Sequence, residues 1–139
     1  MLILNIVALA VLLAVSGLHL LWAMKIWWPV SDEKRLVHTV AGFPNTDSMP
    51  PPIACLIVAV ALLGVAILLF LRLTQPVPHH VVSVALLGAG FVFVGRGGIG
   101  FTGLWSRITP EQPFRKLDRN YYSPLCLVVG AVILVDTLL

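Results

Sequence analysis

Four long apolar runs constrain this chain more than any other feature. They cover about residues 2–28, 53–71, 81–104 and 122–139 of a 139-residue sequence. Each is close to the length, about 20 residues, that an α-helix needs to cross a bilayer. Hydrophobic residues make up 59% of the chain and charged residues 11%, and the mean hydropathy is +1.00, far from soluble averages. The sequence therefore predicts an integral membrane protein.

The apolar runs are best explained as helices. Val58 to Leu63 shows none of the alternation of a membrane β-strand, and backbone polar groups in lipid must be satisfied within the segment. The longest connection, residues 29–52, is too short for a soluble domain. The first run lacks a basic leader, so we expect a retained span and not a signal peptide. The fold class predicted is all-α, an integral membrane four-helix bundle forming one transmembrane domain over residues 1–139.

Basic residues predict the orientation. Arg72 alone lies beside the second connection, whereas seven basic residues lie beside the first and third: Lys25, Lys34, Arg35, Arg107, Arg115, Lys116 and Arg119. Loops rich in lysine and arginine stay in the cytoplasm. We therefore expect a multi-pass protein of the cell inner (plasma) membrane, with loops 29–52 and 105–121 cytoplasmic and both termini outward. The basic residues flank spans and form no groove-reading element, so the expected partner is the lipid bilayer and not nucleic acid.

Arg96 is the leading candidate for function because it lies inside the apolar segment Phe91 to Phe101. An ionised residue near a bilayer centre costs roughly 2.5–3.5 kcal/mol on insertion scales, so it needs a partner. One interpretation is that Arg96 anchors an anionic ligand. The alternative is a structural pair with Asp118 or Asp47, or with backbone carbonyls at a helix end.

The first run has a polar face that lies at the same membrane depth as Arg96. His19 and Trp22 lie three residues apart late in that run, and His19 and Arg96 each lie about nine residues, or ~13 Å, inside the same interface. Gly100 and Gly103 share a helix face with Arg96, which lets a neighbouring group approach. These patterns predict one polar cavity. The alternatives are that His19 only bonds another helix and that the glycines only serve packing.

The third connection leads into a further group of polar residues. Tyr122 and Asp118 complete a proton-handling set if they lie near His19, and Ser123 is expected to cap the fourth helix ahead of Pro124. The alternative for this connection is an interfacial loop that binds anionic headgroups. The complete predicted ligand-binding set is Arg96, His19, Trp22, Tyr122, Asp118 and Ser123.

Other motifs carry less weight. Residues 95–100 match G-x-G-x-x-G but lack the strand-turn-helix context of a dinucleotide site, and Cys55 and Cys126 form no C-x-x-C pair. His79 and His80 have no acid or cysteine nearby in sequence. No metal site is predicted, and the sequence identifies no catalytic residue and no cofactor.

Three segments together carry a resemblance. They are His19-x-x-Trp22-Ala23, the glycine-arginine segment of the third run, and Asp118 followed by Tyr122-Ser123-Pro124-Leu125-Cys126. The chain resembles an uncharacterised family of small bacterial four-span membrane proteins of unknown function. The resemblance implies the fold and no activity. Signatures of quinone-linked thiol oxidoreductases and small multidrug exporters are missing.

Two classes of function follow. The first is a polar intramembrane pocket near the cytoplasmic side that binds a small anionic or amphipathic molecule or lipid. The alternative is an accessory subunit of a larger membrane complex, whose polar residues contact a partner chain, a cofactor or a structural lipid. A ligand-binding protein, in contrast, is expected to remain intact alone or as a homo-oligomer.

Overall fold

The computed structural model describes residues 1–74 and 80–139. Within these residues, four helical stretches are long and apolar enough to cross a membrane: Leu2–Ala23, Pro52–Thr74, His80–Ile99 and Phe114–Leu138. We name the first three α1, α3 and α4. The short helices α2 (Glu33–Val40) and α5 (Gly103–Ile108) lie in the connections. The predicted all-α membrane bundle is confirmed.

Helix α1 ends at Ala23, before the predicted end at Trp28. Lys25 adopts a positive φ of 60°, the Lys25 N–H donates to the Trp22 carbonyl, and the Ile26 N–H donates to the Leu21 carbonyl. These two bonds are the Schellman pattern, which satisfies carbonyls at a helix end. Glycine usually occupies the left-handed position, so a lysine there gave no stop signal.

The third apolar run forms two helices instead of one reaching residue 104. Helix α4 ends at Ile99, and the Thr102 side chain accepts a hydrogen bond from the Trp105 N–H to cap α5. Threonine is a common cap because its oxygen satisfies an otherwise free amide. The break directs Trp105 back towards the last helical stretch.

That last stretch begins earlier than residue 122. It comprises α6 (Phe114–Leu117), a π-helical segment (Asp118–Tyr122) and α7 (Ser123–Leu138). The expectation that Ser123 caps a helix start is wrong, because Ser123 is fully buried inside continuous helix. Pro124 lacks an N–H and its ring crowds the preceding turn; the π segment directly before it accommodates the proline without ending the helix.

The four long helices pack as two close pairs, α1 with α3 and α4 with α7. Glycines bring the second pair together: a Cβ added at Gly130 would lie 2.9 Å from the Gly90 carbonyl oxygen. Small residues permit this approach in membrane helices. One buried cluster joins all four helices: Ala8, Leu12, Ala66, Leu69, Leu86, Val129, Val132 and Ile133.

The first and third connections meet at one end of the bundle. The Glu111 N–H donates to the Gly42 carbonyl at 3.2 Å, and the Tyr122 hydroxyl donates to the Thr39 carbonyl at 3.1 Å. Gly42 has a positive φ of 70°, and the Phe114 ring occupies the space of its missing side chain. Helix α2 is thereby held over the end of the bundle. The side of the membrane on which this end lies remains a prediction.

Candidate functional site

Arg96 is paired within the protein. It lies in the last turn of α4, and its Nη2 donates to Asp118 Oδ1 at 2.6 Å. The Asp118 side chain is 2% exposed and the Arg96 side chain 32% exposed. A buried carboxylate without a cation is strongly unfavourable, so each partner stabilises the charge of the other. Of the structural partners considered from sequence, Asp118 is the one that Arg96 contacts.

Two further side chains contact this ion pair. The indole Nε1 of Trp105 donates to Asp118 Oδ2 at 2.9 Å, and the Arg96 guanidinium carbon lies 4.9 Å from the centre of the Trp105 ring. Arg96 Nη1 also donates to Ser123 Oγ at 3.4 Å. Trp105 thus contributes both a hydrogen bond and a cation–π contact. Sequence reasoning did not include Trp105 in the site.

Gly100 makes room for this arrangement. A Cβ at Gly100 would overlap the Ser123 side chain and lie 3.0 Å from Asp118 Oδ2, whereas one at Gly103 would have nothing within 4 Å. The expected close approach therefore occurs at Gly100 and not at Gly103.

A cavity of about 530 Å³ lies between α1 on one side and α4 and α7 on the other, beneath α2. This volume falls in the range of small-molecule sites. Most of its wall is apolar and includes Val11, Leu12, Val15, Leu62, Phe93 and Val129. Four of the predicted site residues also line it: His19, Trp22, Arg96 and Tyr122. Asp118 and Ser123 lie behind Arg96 and outside this wall.

The polar groups of the cavity bond to backbone carbonyls. His19 Nδ1 lies 2.9 Å from the Val15 carbonyl oxygen, and because a carbonyl only accepts, Nδ1 carries the hydrogen. Trp22 Nε1 donates to the Trp28 carbonyl at 2.9 Å, and its ring centre lies 4.8 Å from that of His19. No hydrogen bond joins His19 to Arg96, Asp118 or Tyr122, so the expected proton-handling set is not connected directly among these described residues.

Most residues of this site lie in a segment that matches a known protein family. The family model described as protein of unknown function, DUF3995, matches residues 12–133. The chain belongs to the DUF3995 family. Comparison with curated proteins finds no match, and comparison with solved structures finds none. The predicted membership of an uncharacterised family is confirmed. The DUF3995 match includes Arg96, Asp118 and all of the cavity wall named above except Val11.

A second polar cluster lies at the opposite end of this DUF3995 bundle. Arg72 Nε donates to Asp136 Oδ2 at 2.9 Å, and Arg72 Nη1 donates to Ser83 Oγ at 3.3 Å. Asn5 Nδ2 donates to Asp136 Oδ1 at 2.6 Å. Asn5, Arg72, Ser83 and Asp136 come from α1, α3, α4 and α7 respectively, so the cluster joins all four long helices.

Sequence reasoning missed this second cluster, although a signal was present. Asn5 and Asp136 are polar residues inside otherwise apolar runs, and such residues usually contact one another or a cavity. Their separation of 131 positions concealed the pairing. Asn5 Oδ1 is buried and has no hydrogen-bond partner within the described residues.

Asp47, the other partner considered for Arg96, lies on the surface. It bonds to Lys34 Nζ at 3.1 Å and His38 Nε2 at 3.2 Å. The hydrogen bond from Lys34, followed by that from His38, lowers the pKa of the Asp47 carboxyl from its ordinary value. Asp47 therefore forms contacts within the first connection and does not contact the intramembrane site.

The described residues contain no group of three or more histidine, cysteine or acidic side chains able to hold a metal ion. His79 lies outside the described residues, so the weighed His79–His80 pair is described only at His80. Cys55 and Cys126 are both free thiols. Cys126 lines the cavity, whereas Cys55 is buried in a cluster with Trp22 and Leu36, two residues that line the cavity themselves.

Proposed function

We propose that this protein binds a small amphipathic molecule or lipid in the cavity between α1, α4 and α7. The supporting observation is the cavity itself, about 530 Å³, whose apolar wall ends at Arg96, His19 and Tyr122. Ligand sites commonly combine an apolar wall with a few polar groups that fix orientation. Arg96 supplies hydrogen-bond donors, His19 an acceptor, and Trp22 an apolar surface. This class includes the anionic ligands expected from the sequence.

The position of Leu125 supports the same proposal. Leu125 belongs to the cavity wall and is 40% exposed. It lies within the span Phe114–Leu138, whose outer surface faces hydrocarbon in a membrane. An apolar ligand that enters from the bilayer beside Leu125 would not cross the polar connections.

Native mass spectrometry of protein released gently from its own membrane tests this function. We expect one small molecule to be retained by the wild type and lost from Leu62→Trp, because Leu62 lines the cavity and the larger indole would obstruct it. Leu63→Trp is the matched control, since Leu63 is 42% exposed and points away from the cavity wall. Equal retention by both variants would contradict the proposal.

A second candidate is an accessory subunit of a larger membrane complex. The observation that favours it is an open face of α4, where a Cβ added at Gly88, Gly95 or Gly98 would meet nothing within 4 Å in the described structure. Small residues suit close contact with another helix in a membrane. The same mass spectra separate the candidates: fixed stoichiometry with other chains supports the subunit, and a small molecule lost only from Leu62→Trp supports the pocket.

A further inference from the structure

The charge of Arg96 at the cavity edge is already balanced. Its guanidinium forms the 2.6 Å pair with Asp118, whose carboxylate is 2% exposed. An anionic ligand at Arg96 would bring a second negative charge to a neutral pair. The three groups together would then carry a net negative charge inside the bundle, where water screens little, and burying an unbalanced charge is costly. A neutral head group avoids it.

The remaining hydrogen-bonding capacity of Arg96 is that of a donor. A guanidinium has five N–H groups, and within the described residues Arg96 makes two side-chain hydrogen bonds, one to Asp118 and one to Ser123. Arg96 also lines the cavity. Its spare N–H groups can therefore donate to a carbonyl oxygen of a ligand.

The other polar groups of the cavity wall offer acceptors. His19 Nδ1–H is used by the Val15 carbonyl, the Tyr122 hydroxyl by the Thr39 carbonyl, and the Thr39 hydroxyl by the Arg35 carbonyl. What remains is Nε2 of the neutral imidazole and the lone pairs of the two hydroxyl oxygens. A carboxylate or phosphodiester, which only accepts, would leave these groups without a donor, whereas a ligand with its own N–H or O–H would satisfy them.

Building on the proposed function, we propose that the cavity selects a neutral amphiphile whose head group carries both a carbonyl acceptor for Arg96 and an N–H or O–H donor for His19. The apolar chain of such a molecule would lie along Leu12, Phe93 and Val129 and enter beside Leu125. The site thus discriminates by charge and by donor content, and not by apolar shape alone.

The test compares dodecanamide with dodecanoate, two probes with the same chain and nearly the same shape. Equilibrium binding is measured on the full chain in nanodiscs at about pH 9, where a carboxylic acid is ionised and an ordinary imidazole is neutral. We expect the wild type to bind dodecanamide at least about tenfold more tightly, the size expected for one additional hydrogen bond, from the amide N–H to the neutral His19 imidazole, plus the avoided burial of an unbalanced charge.

Asp118→Asn provides the sharpest contrast. The amide has the shape of the carboxylate but leaves the Arg96 charge unbalanced, so we expect the preference to reverse in favour of dodecanoate. If this variant unfolds on its own, dodecanoate should restore its thermal stability while dodecanamide should not. If Asp118 only supports the fold, neither the reversed preference nor the selective stabilisation by dodecanoate is expected.

The outcomes distinguish this inference from the function on which it rests. Tighter binding of dodecanoate to the wild type, lost in Leu62→Trp, would overturn the selectivity and leave the ligand site standing. No binding of either probe, or binding unchanged in Leu62→Trp, would overturn both. A preference for dodecanamide that survives unchanged in Asp118→Asn would refute the role of the balanced Arg96 charge.

Discussion

Arg96 and Asp118 each depend on the other at the scale of single residues. Asp118 is almost fully buried, and its carboxylate bonds to both Arg96 and Trp105. Removing one partner of a buried pair leaves an uncompensated charge, whereas removing both does not. The pair is consequently best regarded as one unit that supports the edge of the cavity.

We expect Arg96→Ala to reduce the free energy of unfolding by about 3–5 kcal/mol, the usual cost of breaking a buried ion pair. The double variant Arg96→Ala/Asp118→Ala should lose less than Arg96→Ala alone. Denaturant unfolding in a mild detergent measures both. A double variant at least as unstable as the single one would show that Asp118 is tolerated without its cation.

Asp47 provides a prediction about pH. Its pKa is lowered mainly by the hydrogen bond from Lys34, so the stabilisation from this contact is present above the ordinary pKa of an aspartate. It is lost as the pH falls through the lower pKa of the folded protein. Asp47 is exposed, and solvent keeps the effect small.

The substitution Lys34→Met should therefore raise the pKa of Asp47 towards its ordinary value. A carboxyl carbon NMR titration of the protein in micelles measures this shift directly. Lys25→Met, which removes a charge elsewhere in the first connection, is the control. A pKa of Asp47 that moves equally in both variants would indicate net charge and not the hydrogen bond as the cause.

At the scale of elements, some features follow from sequence and others do not. The four spans follow because composition dictates where helices can lie in lipid. The end of α1 at Ala23 does not, since Lys25 occupies a position that glycine usually marks. The π segment does not either, because Ser123–Pro124 has the form of a helix start while α6 extends the helix to Phe114.

The candidate site divides in the same way. Hydrophobic context singled out Arg96, and Asp118 was one of its few acidic partners, so that pair could be anticipated from sequence. His19, Trp22 and Tyr122 line one cavity with Arg96, and their role in binding a ligand stays a prediction. The role of Trp105 depends on a turn after α4 that no local pattern specifies.

The cluster around Arg72 links elements at the end of the bundle away from the cavity. We expect Arg72→Met to lower the free energy of unfolding by about 3–5 kcal/mol, because it leaves Asp136 without a cation beside Asn5. Arg107→Met is a matched control at an exposed position, with an expected change within about 0.5 kcal/mol. The free energy of unfolding is measured in detergent. An equal decrease for both substitutions would show that the cluster does not stabilise the packing of the helices.

At the scale of the whole molecule, the two ends of the bundle differ in how tightly the helices are joined. The end with Arg72 and Asp136 is closed by polar contacts among all four long helices, and the buried cluster around Leu69 and Ile133 packs next to it. The end beneath α2 is open enough to contain the cavity. Because polar contacts join the helices at the Arg72 end, we expect the fold to tolerate a cavity at the other end.

The central claim is that an amphiphile occupies this cavity, and the reactivity of Cys126 tests it most directly. Cys126 lines the cavity, and Cys55→Ser removes the other thiol. The rate of alkylation by N-ethylmaleimide is measured in nanodiscs with increasing dodecanamide. We predict that the probe slows the reaction at least about tenfold at saturation, in proportion to the occupied fraction. An alkylation rate that does not change with dodecanamide would contradict the account.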